Sequence, residues 1–419
     1  MKRIFFFSLL TLLAGCREEL PDFPEVGQPY AVTSGPHDHL MANYFGIDAW
    51  SPDGRYLAVL ETDANGRLVA EGEAATLALV DLQDGNKLIP IGKTLCWNFQ
   101  EAAMFHWLPW EDGACIYNDC RDGKFVSVIY NWKTGAERII PYPVSAVSKD
   151  GTMAVSVNYA RLRLCRPDYG YAGNGQDALR DEVWPRNDGL WVVDLRTGTG
   201  RLILSPWEAA PQMPFIADPR GLAYFCHTVL SKNAKKIFFL ARTVENLDEQ
   251  VANFGHVKQW RTSAFTIDID GKNLRRCYPD GWEGSHFNWL DDETMAVTAR
   301  WNAGRCWAHT IFKVGEEEKV RRLAPSILDW DGHLVFSPDG QFISSDGYWN
   351  SNKERNWVLI RVKDEAVRSL GTYLVPEDYQ EQYSRCDLHG RWKADGSQLA
   401  INSVHEGSRQ VYIADVIWK

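Results

Sequence analysis

Four of the ten histidines stand three residues before an aromatic or aliphatic position that opens a turn. They are His227 before Leu230, His286 before Trp289, His333 before Phe336 and His389 before Trp392. A neutral imidazole can ligate a metal or accept a proton near neutral pH. Four in one register suit a borderline divalent ion, and equally a general base. The competing reading is four separate imidazoles, each bonded to a neighbouring carbonyl. A second register falls nine residues after each turn residue and holds Arg121, Tyr159, Arg242, Arg300 and Tyr348. Arginine keeps its charge and grips carboxylates with two parallel N–H groups. Three of them there read either as a grip on an anionic sugar or as salt bridges at the blade edges.

The longest interval between turns, Asp150 to Asn233, carries Asn158-Tyr159-Ala-Arg161 and Arg166-Pro-Asp168-Tyr169-Gly-Tyr171, a basic and aromatic stretch in an acidic chain. Long insertions in compact domains are usually functional. A tyrosine beside arginine ionises at lower cost and can serve as acid or base. Tyr159, Arg161, Arg166, Tyr169 and Tyr171 are therefore candidate catalytic residues, against the alternative of a plain insertion. Upstream, Cys96-Trp97-Asn98-Phe99-Gln100 offers the amides of Asn98 and Gln100 to sugar hydroxyls.

These residues are placed by a repeat. An aromatic or aliphatic residue, a polar turn and an alternating strand recur at Trp50-Ser-Pro-Asp53-Gly, Val147-Ser-Lys-Asp150-Gly, Phe336-Ser-Pro-Asp339-Gly and Trp392-Lys-Ala-Asp395-Gly. Weaker copies begin at Trp107, Leu230 and Trp289, and each copy is followed by a second strand phrase such as Leu79-Val-Asp-Leu-Gln-Asp-Gly. Asp-Gly between alternating runs is a hairpin signal. Two hairpins per repeat make a four-stranded blade. The fold expected is all-β: a single seven-bladed β-propeller of four-stranded antiparallel blades over residues 35–419, with a strand around 28–34 closing the ring. The alternative is a pair of β-sandwiches or a solenoid. First strands line the central channel, so the four histidines converge on it. Ile47, Met104 and Val144 fill the same position in the first three blades.

Eighteen Trp among 419 residues favour strands and sugar-binding surfaces. A net charge of −10 argues against a nucleic-acid partner. The start of the chain reads as targeting. Met1-Lys2-Arg3 and an apolar run from Ile4 to Ala14 lead to Leu12-Leu13-Ala14-Gly15-Cys16, which resembles a bacterial lipobox. Cys16 is then the acylated N-terminus of an outer-membrane lipoprotein, facing the periplasm or the cell surface. Residues 1–16 are signal and 17–34 a tether; Glu18, Glu19 and Asp22 resemble a surface-export signal. The membrane is reached through the lipid alone, and the chain is expected to be monomeric. The other eight cysteines contain no Cys-x-x-Cys and read as buried free thiols, with room for one bridge.

The phrases Trp97-Asn-Phe-Gln100, Asn158-Tyr-Ala-Arg161, Arg166-Pro-Asp-Tyr-Gly-Tyr171, Ser285-His-Phe-Asn-Trp289, Asp331-Gly-His333, Arg385-Cys-Asp-Leu-His389 and His405-Glu-Gly-Ser-Arg-Gln410 resemble the propeller-fold polysaccharide lyases, the oligogalacturonate lyase-like and ulvan lyase-like families. The resemblance implies β-elimination at a uronic acid in an acidic oligo- or polysaccharide. It also implies a divalent cofactor (Mn, Zn or Ca) held by His227, His286, His333 and His389, with Tyr169, Tyr171 and Arg166 nearest the chemistry. Asn98, Gln100, Arg121, Arg242, Arg300 and His39 would contact substrate. The chain departs from these families in its first-blade segment His37-Asp-His39-Leu-Met-Ala-Asn-Tyr44, in the lost Ser-Pro-Asp-Gly before Asn233, and in lacking the His-x-His pair of oligogalacturonate lyases near the last blades. Two other readings stand beside the lyase: a hydrolase cleaving next to a uronate on the same scaffold, and a non-catalytic TolB-like binding propeller.

Overall fold

The structure is a computed structural model and describes residues 20–64, 67–173, 177–252, 260–278, 282–301 and 306–418. Cys16 and the signal segment lie outside the described residues. Seven antiparallel sheets follow one another along the chain. Blade 1 runs from Asp38–Met41 to Lys87–Thr94, blade 2 from His106–Trp107 to Glu137–Ile140, and blade 3 from Ala146–Val147 to Thr199–Leu204. Blade 4 runs from Leu222–Leu230 to Arg275–Arg276, blade 5 from Glu283–Trp289 to Arg321–Leu323, and blade 6 from Leu334–Phe336 to Val367–Leu374. Blade 7 contributes Arg391–Trp392, Gln398–Ser403 and Gln410–Ile417. The seven-bladed propeller expected from the repeat is the observed architecture.

Repeat chemistry explains the strand positions. In four blades a serine hydroxyl in the turn accepts the amide five residues on: Ser51 from Tyr56, Ser148 from Met153, Ser231 from Lys236 and Ser337 from Phe342, at 2.9–3.0 Å. This pins the turn to the start of the second strand. Blade 4 keeps the geometry without the glycine, and Ala234 adopts φ 57° there, a conformation that costs an L-residue about 1–2 kcal/mol. The aromatic of the repeat joins blades. Trp107, Trp289 and Trp392 donate Nε1–H to the carbonyls of Ala49, Val229 and Val335, each just before the repeat aromatic or its equivalent in the preceding blade. Outer strands add arginine contacts to the next blade, such as Arg138 to the Leu195 and Arg196 carbonyls and Arg201 to those of Ile269 and Asp270. The largest apolar core runs from blade 2 to blade 7 and includes Ile116, Val155, Phe239, Val297, Leu359 and Leu399.

The closing strand expected around residues 28–34 is present at Tyr30–Ala31, and a second pairing lies a few residues earlier. Glu25–Val26 and Tyr30–Ala31 both pair antiparallel with Gln410–Ile417. The described part of the expected tether, residues 20–34, is thus built into the last blade. The Pro21 carbonyl accepts from Arg361 and the Pro24 carbonyl from Arg368. Phe23 lies under both guanidinium groups at 4.8 and 4.5 Å and touches Phe342. The seven cysteines described are free thiols. Among the described residues no helix is long and apolar enough to cross a membrane.

Among the described residues three short α-helices interrupt the strands: α1 (Tyr159–Cys165), α2 (Pro206–Ala209) and α3 (Leu247–Ala252). Helix α1 lies in the insertion joining the second and third strands of blade 3. Its N-cap Asn158 accepts the Arg161 amide. Connections of this kind and those entering each first strand emerge on the same face of the ring; His333 and His389 lie just before their first strands and His227 and His286 within theirs.

Phe23→Ala is expected to destabilise the full chain by about 2 kcal/mol, below the 3–5 kcal/mol typical of a fully buried Phe because the ring is half-buried. Denaturant unfolding measures it; a loss below about 0.5 kcal/mol would show that closure does not depend on this contact.

Candidate active site

Three of the four register histidines form one cluster at the channel axis. The rings of His286 and His333 are 3.8 Å apart between centroids, and those of His333 and His389 are 4.3 Å apart. The Nε2 atoms of His333 and His389 face each other at 3.1 Å. Backbone irregularity aims them. The first strands of blades 4 and 5 slip register at Cys226/Val229 and Gly284/Phe287, bulges of the kind that redirect a side chain. His227 and His389 adopt φ 55° and 48°, and Met104, at the same blade position, 49°.

A carboxylate fixes the orientation of two rings. His286 Nδ1 meets Asp331 Oδ1 at 2.9 Å, and His333 Nδ1 meets Asp346 Oδ1 at 2.7 Å. Each Nδ1 donates, which leaves Nε2 as the free lone pair. The other Asp346 oxygen accepts the His389 amide. Burial alone would raise the Asp346 carboxyl, but the facing His333 holds it below the ordinary carboxylate range. Burial pushes His333 down, and His389 well down, so both are neutral at pH 7.

Asp387 completes the cluster. It sits two residues before His389, so the chain carries Asp387-x-His389 here. Its carboxylate, with His333 and His389, forms a buried set whose ligand atoms all lie within 4.8 Å of one another. Two imidazole nitrogens about 3 Å apart are spaced as two ligands of one ion are. Histidines that hold a metal almost always give the other N–H to a carboxylate, a backbone carbonyl or a water, and His333 and His286 give theirs to carboxylates. The residues present therefore fit a divalent ion, with His333, His389 and Asp387 as ligands and His286 alongside.

His227 stands apart from these three. Its ring packs on Tyr169 at 4.6 Å and Tyr44 at 5.6 Å. Its Nδ1 faces Glu101 Oε1 at 3.5 Å without a hydrogen bond. Burial, then Arg242 and Arg166, keep it well below the ordinary histidine value. Assigning it to the metal shell is not supported by its position. Burial pushes Glu101 up to about 8, against a bond from the Tyr159 hydroxyl at 3.4 Å.

Tyr169 is the candidate the structure brings closest to these groups. Its hydroxyl accepts from Arg385 Nη2 at 3.0 Å, and its carbonyl from Asn98 at 2.7 Å. Burial raises its phenol despite the neighbouring Arg385 and Arg166. Arg166 stacks on Tyr169 and Trp260 and binds Asp168 with two hydrogen bonds, at 2.8 and 2.6 Å. Arg242 is buried beside His227, with Nη1 unpartnered. Tyr348 packs 6.3 Å from His286.

Other candidates have different work. Arg161 uses all five of its donors on Asp177 and the carbonyls of Ala223, Leu179, Glu182 and Val183; it clamps the insertion and has none left for catalysis. Arg121 pairs with Asp119 and Glu137, and Arg300 with Glu283, so these two are blade-edge salt bridges. Asn98 caps the Gln100 and Glu101 amides and holds Tyr169, and Gln100 bonds Arg385; both position the site. Tyr171 stacks on Tyr159 and accepts from Asn118, one layer behind Glu101. His39 bonds Gln410 and Glu61 at the seam of blades 7 and 1 and makes no contact with the cluster.

The departing segment of blade 1 explains the rest. Residues 42–49 leave the first strand and enter the channel, placing Tyr44 against His227, His333 and His389, and Phe45 against His286, His333 and His389. Arg391 holds this segment through Asn43. The site is closed to solvent: the four histidines are each at most 4% exposed.

No protein-family model matches the chain, and no curated protein matches its sequence. Solved structures do. An oligogalacturonate lyase from Vibrio parahaemolyticus superposes with TM-score 0.62 at 14% identity, over 95% of this chain and 98% of that one. An oligogalacturonate lyase in complex with manganese gives 0.62 at 15%, over 95% and 97%. The tricorn protease gives 0.51 at 10%, over 92% of this chain and 35% of its own. At these identities the likeness is one of fold.

Proposed function

We propose that this protein is a lyase that cleaves uronate-containing oligo- or polysaccharides by β-elimination. The observation that carries the reading is the axial cluster of His286, His333, His389 and Asp387 set among buried arginines. A divalent ion on His333, His389 and Asp387 would supply charge neutralisation at the sugar carboxylate and its enolate-like form. The chain's own groups do the rest. Arg242 and Arg166 hold positive charge where the intermediate is negative. Neutral His227 takes the proton alpha to the carboxylate. The C–O bond to the leaving sugar then breaks as the C=C bond forms. The Tyr169 phenol, kept protonated by burial, gives its proton to the departing oxygen. Tyr44 and Phe45 exclude water.

The hydrolase alternative needs two carboxyl groups flanking the bond. Among the described residues of the channel, Asp168, Asp331, Asp346 and Asp387 are each tied to arginine or histidine, and Glu101 alone is left. The binding-module reading is favoured by one observation, the closure of the cluster to solvent. Attachment through Cys16, residence at the outer membrane and a monomeric state are part of the same proposal and rest on the sequence.

The soluble domain is expected to generate the ultraviolet absorbance of an unsaturated uronate on at least one glycan of a uronate panel, and to lose it with chelator. New reducing ends without absorbance would indicate the hydrolase, and binding without either would indicate the binding module. Asp346→Asn, which releases the His333 ring, should weaken metal binding about 10–100-fold in a competition titration; unchanged affinity would remove the ion from this cluster.

Glu101 gives a pH prediction. Its folded value of about 8 exceeds the ordinary carboxyl value, so the folded state retains a proton the unfolded state loses. Stability is full below the ordinary value and falls as pH rises toward 8, by about 1.4 kcal/mol per pH unit at most. Glu101→Gln should therefore gain stability relative to the parent between pH 5 and 8. A pH-independent difference in denaturation midpoints would show that Glu101 is not held neutral.

A further inference from the structure

Two loops from different sides of the ring meet over the cluster. One is residues 166–171 of the blade 3 insertion; the other, 382–387, leads into blade 7. Arg385 Nη2 donates to the Tyr169 hydroxyl at 3.0 Å, Gln382 Nε2 to Asp168 Oδ2 at 3.1 Å, and Arg385 Nη1 lies 3.7 Å from the same oxygen. The Nη1–Nη2 edge of Arg385, the edge that grips a carboxylate with two bonds, is thus partly covered by the first loop, while Nη1 also donates to the Gln382 carbonyl and Nη2 to the Gln100 amide oxygen, each at 3.1 Å. Its Nε remains on Asp387 at 2.9 Å. Asp168 is itself a buried carboxylate, 4% exposed. Gly170 lets the loop lie flat on α1, for a Cβ there would stand 2.1 Å from the Arg163 nitrogen.

Charge around the axis is unbalanced. Arg166, Arg242, Arg355, Arg385 and Arg391 are buried there, against the carboxylates of Asp168, Asp331, Asp346 and Asp387. Five guanidinium groups face four carboxylates while the Glu101 carboxyl is held neutral. If the Asp168 carboxylate swings off Arg385 while Arg166 and Tyr169 stay over the cluster, the Arg385 edge is left without an anion. A ligand that brings one carboxylate restores what was lost.

We propose that Asp168 is an internal stand-in for the carboxylate of a uronate: in the closed form it covers a carboxylate-binding subsite built by Arg385 and Gln382, and the ligand enters by exchange with it. This rests on the uronate reading above. Asp168 is then the latch over the histidines, and an anionic sugar displaces it where a neutral one does not. Apparent affinity is reduced by the fraction of molecules that are open, so weakening the latch tightens binding.

The test is Asp168→Asn, titrated calorimetrically with galacturonate, glucuronate and their methyl esters. Free monosaccharides have no glycosidic leaving group, so binding is read without elimination. The variant should bind at least one acid about tenfold more tightly than the parent, with no gain for the ester. Equal or weaker binding of the acid, an equal gain for the ester, or no binding of either acid to either protein would overturn the proposal. Should the variant fail to fold, hydrogen exchange on the parent decides: saturating uronate should speed exchange of the amides in 166–171 and 382–387, and unchanged or slower exchange in both would overturn it. A gain in acid binding by a protein without lyase activity would sink the elimination reading and keep the subsite. Lyase activity without the gain would do the reverse.

Discussion

Removing an ion from water costs several kcal/mol unless a partner meets it, and the axis of this propeller buries more ions than its core can tolerate unpaired. Most of the geometry around the axis answers that demand. Asp387 meets Arg385 through Nε, and Arg355 at 2.6 Å, the latter off the line of a good hydrogen bond. Asp346 serves His333 and the His389 amide together. Arg391, pushed down to about 9 by burial, rests on the Asn43 carbonyl and amide oxygen and so fixes the segment that carries Tyr44 and Phe45. Some of these contacts cross between blades, Arg355 to Asp387, His286 to Asp331 and the His389 amide to Asp346, so the charge network also sets how those blades face one another.

The ring and the network depend on each other through strain. A non-glycine residue in the left-handed region is sustained only when its surroundings over-determine it. Met104, His227 and His389 all take this conformation at one blade position. At Met104 the side chain packs into the apolar core, so the backbone form belongs to the blade and not to the chemistry. Histidine at that position inherits an inward aim that a regular strand would not give. A metal or base site could therefore arise on this scaffold by changing side chains alone.

That is why much of the site was legible in the sequence and part was not. The blades were readable because their signals are local: a turn serine, an Asp-Gly and an aromatic at fixed offsets. The histidines were readable because they share a register with those signals. His227 shares it too, yet Tyr44 and Tyr169 pack against its ring, and no periodicity announces a segment that leaves its strand. Asp387, two residues before His389, falls outside the register that marks the histidines, and nothing in the repeat announces it. Glu101 and Arg385 come from connections, and Arg355 from the strand Glu354–Arg361, and their approach to the axis is set by tertiary packing. Arg161 was misread for the same reason: five carbonyl and carboxylate acceptors converge on it only once the insertion has folded. Residues 20–34 read as a tether because prolines and acidic residues mark exposed chain equally well whether it hangs free or closes a ring.

Closure of the site bears on the chemistry as well as on access. In a water-excluded pocket an uncompensated charge is costly, and the same low dielectric strengthens any interaction with a developing anion. The arrangement here keeps the catalytic candidates neutral, His227 and Tyr169 by burial, while arginines carry the positive charge. A base that is neutral before reaction and an acid that still holds its proton are the protonation states that an elimination at neutral pH needs. The pocket reaches them without any solvent-exposed group. An anionic ligand would then enter a site whose cationic charge is already in place, and water would have little part in stabilising what forms there.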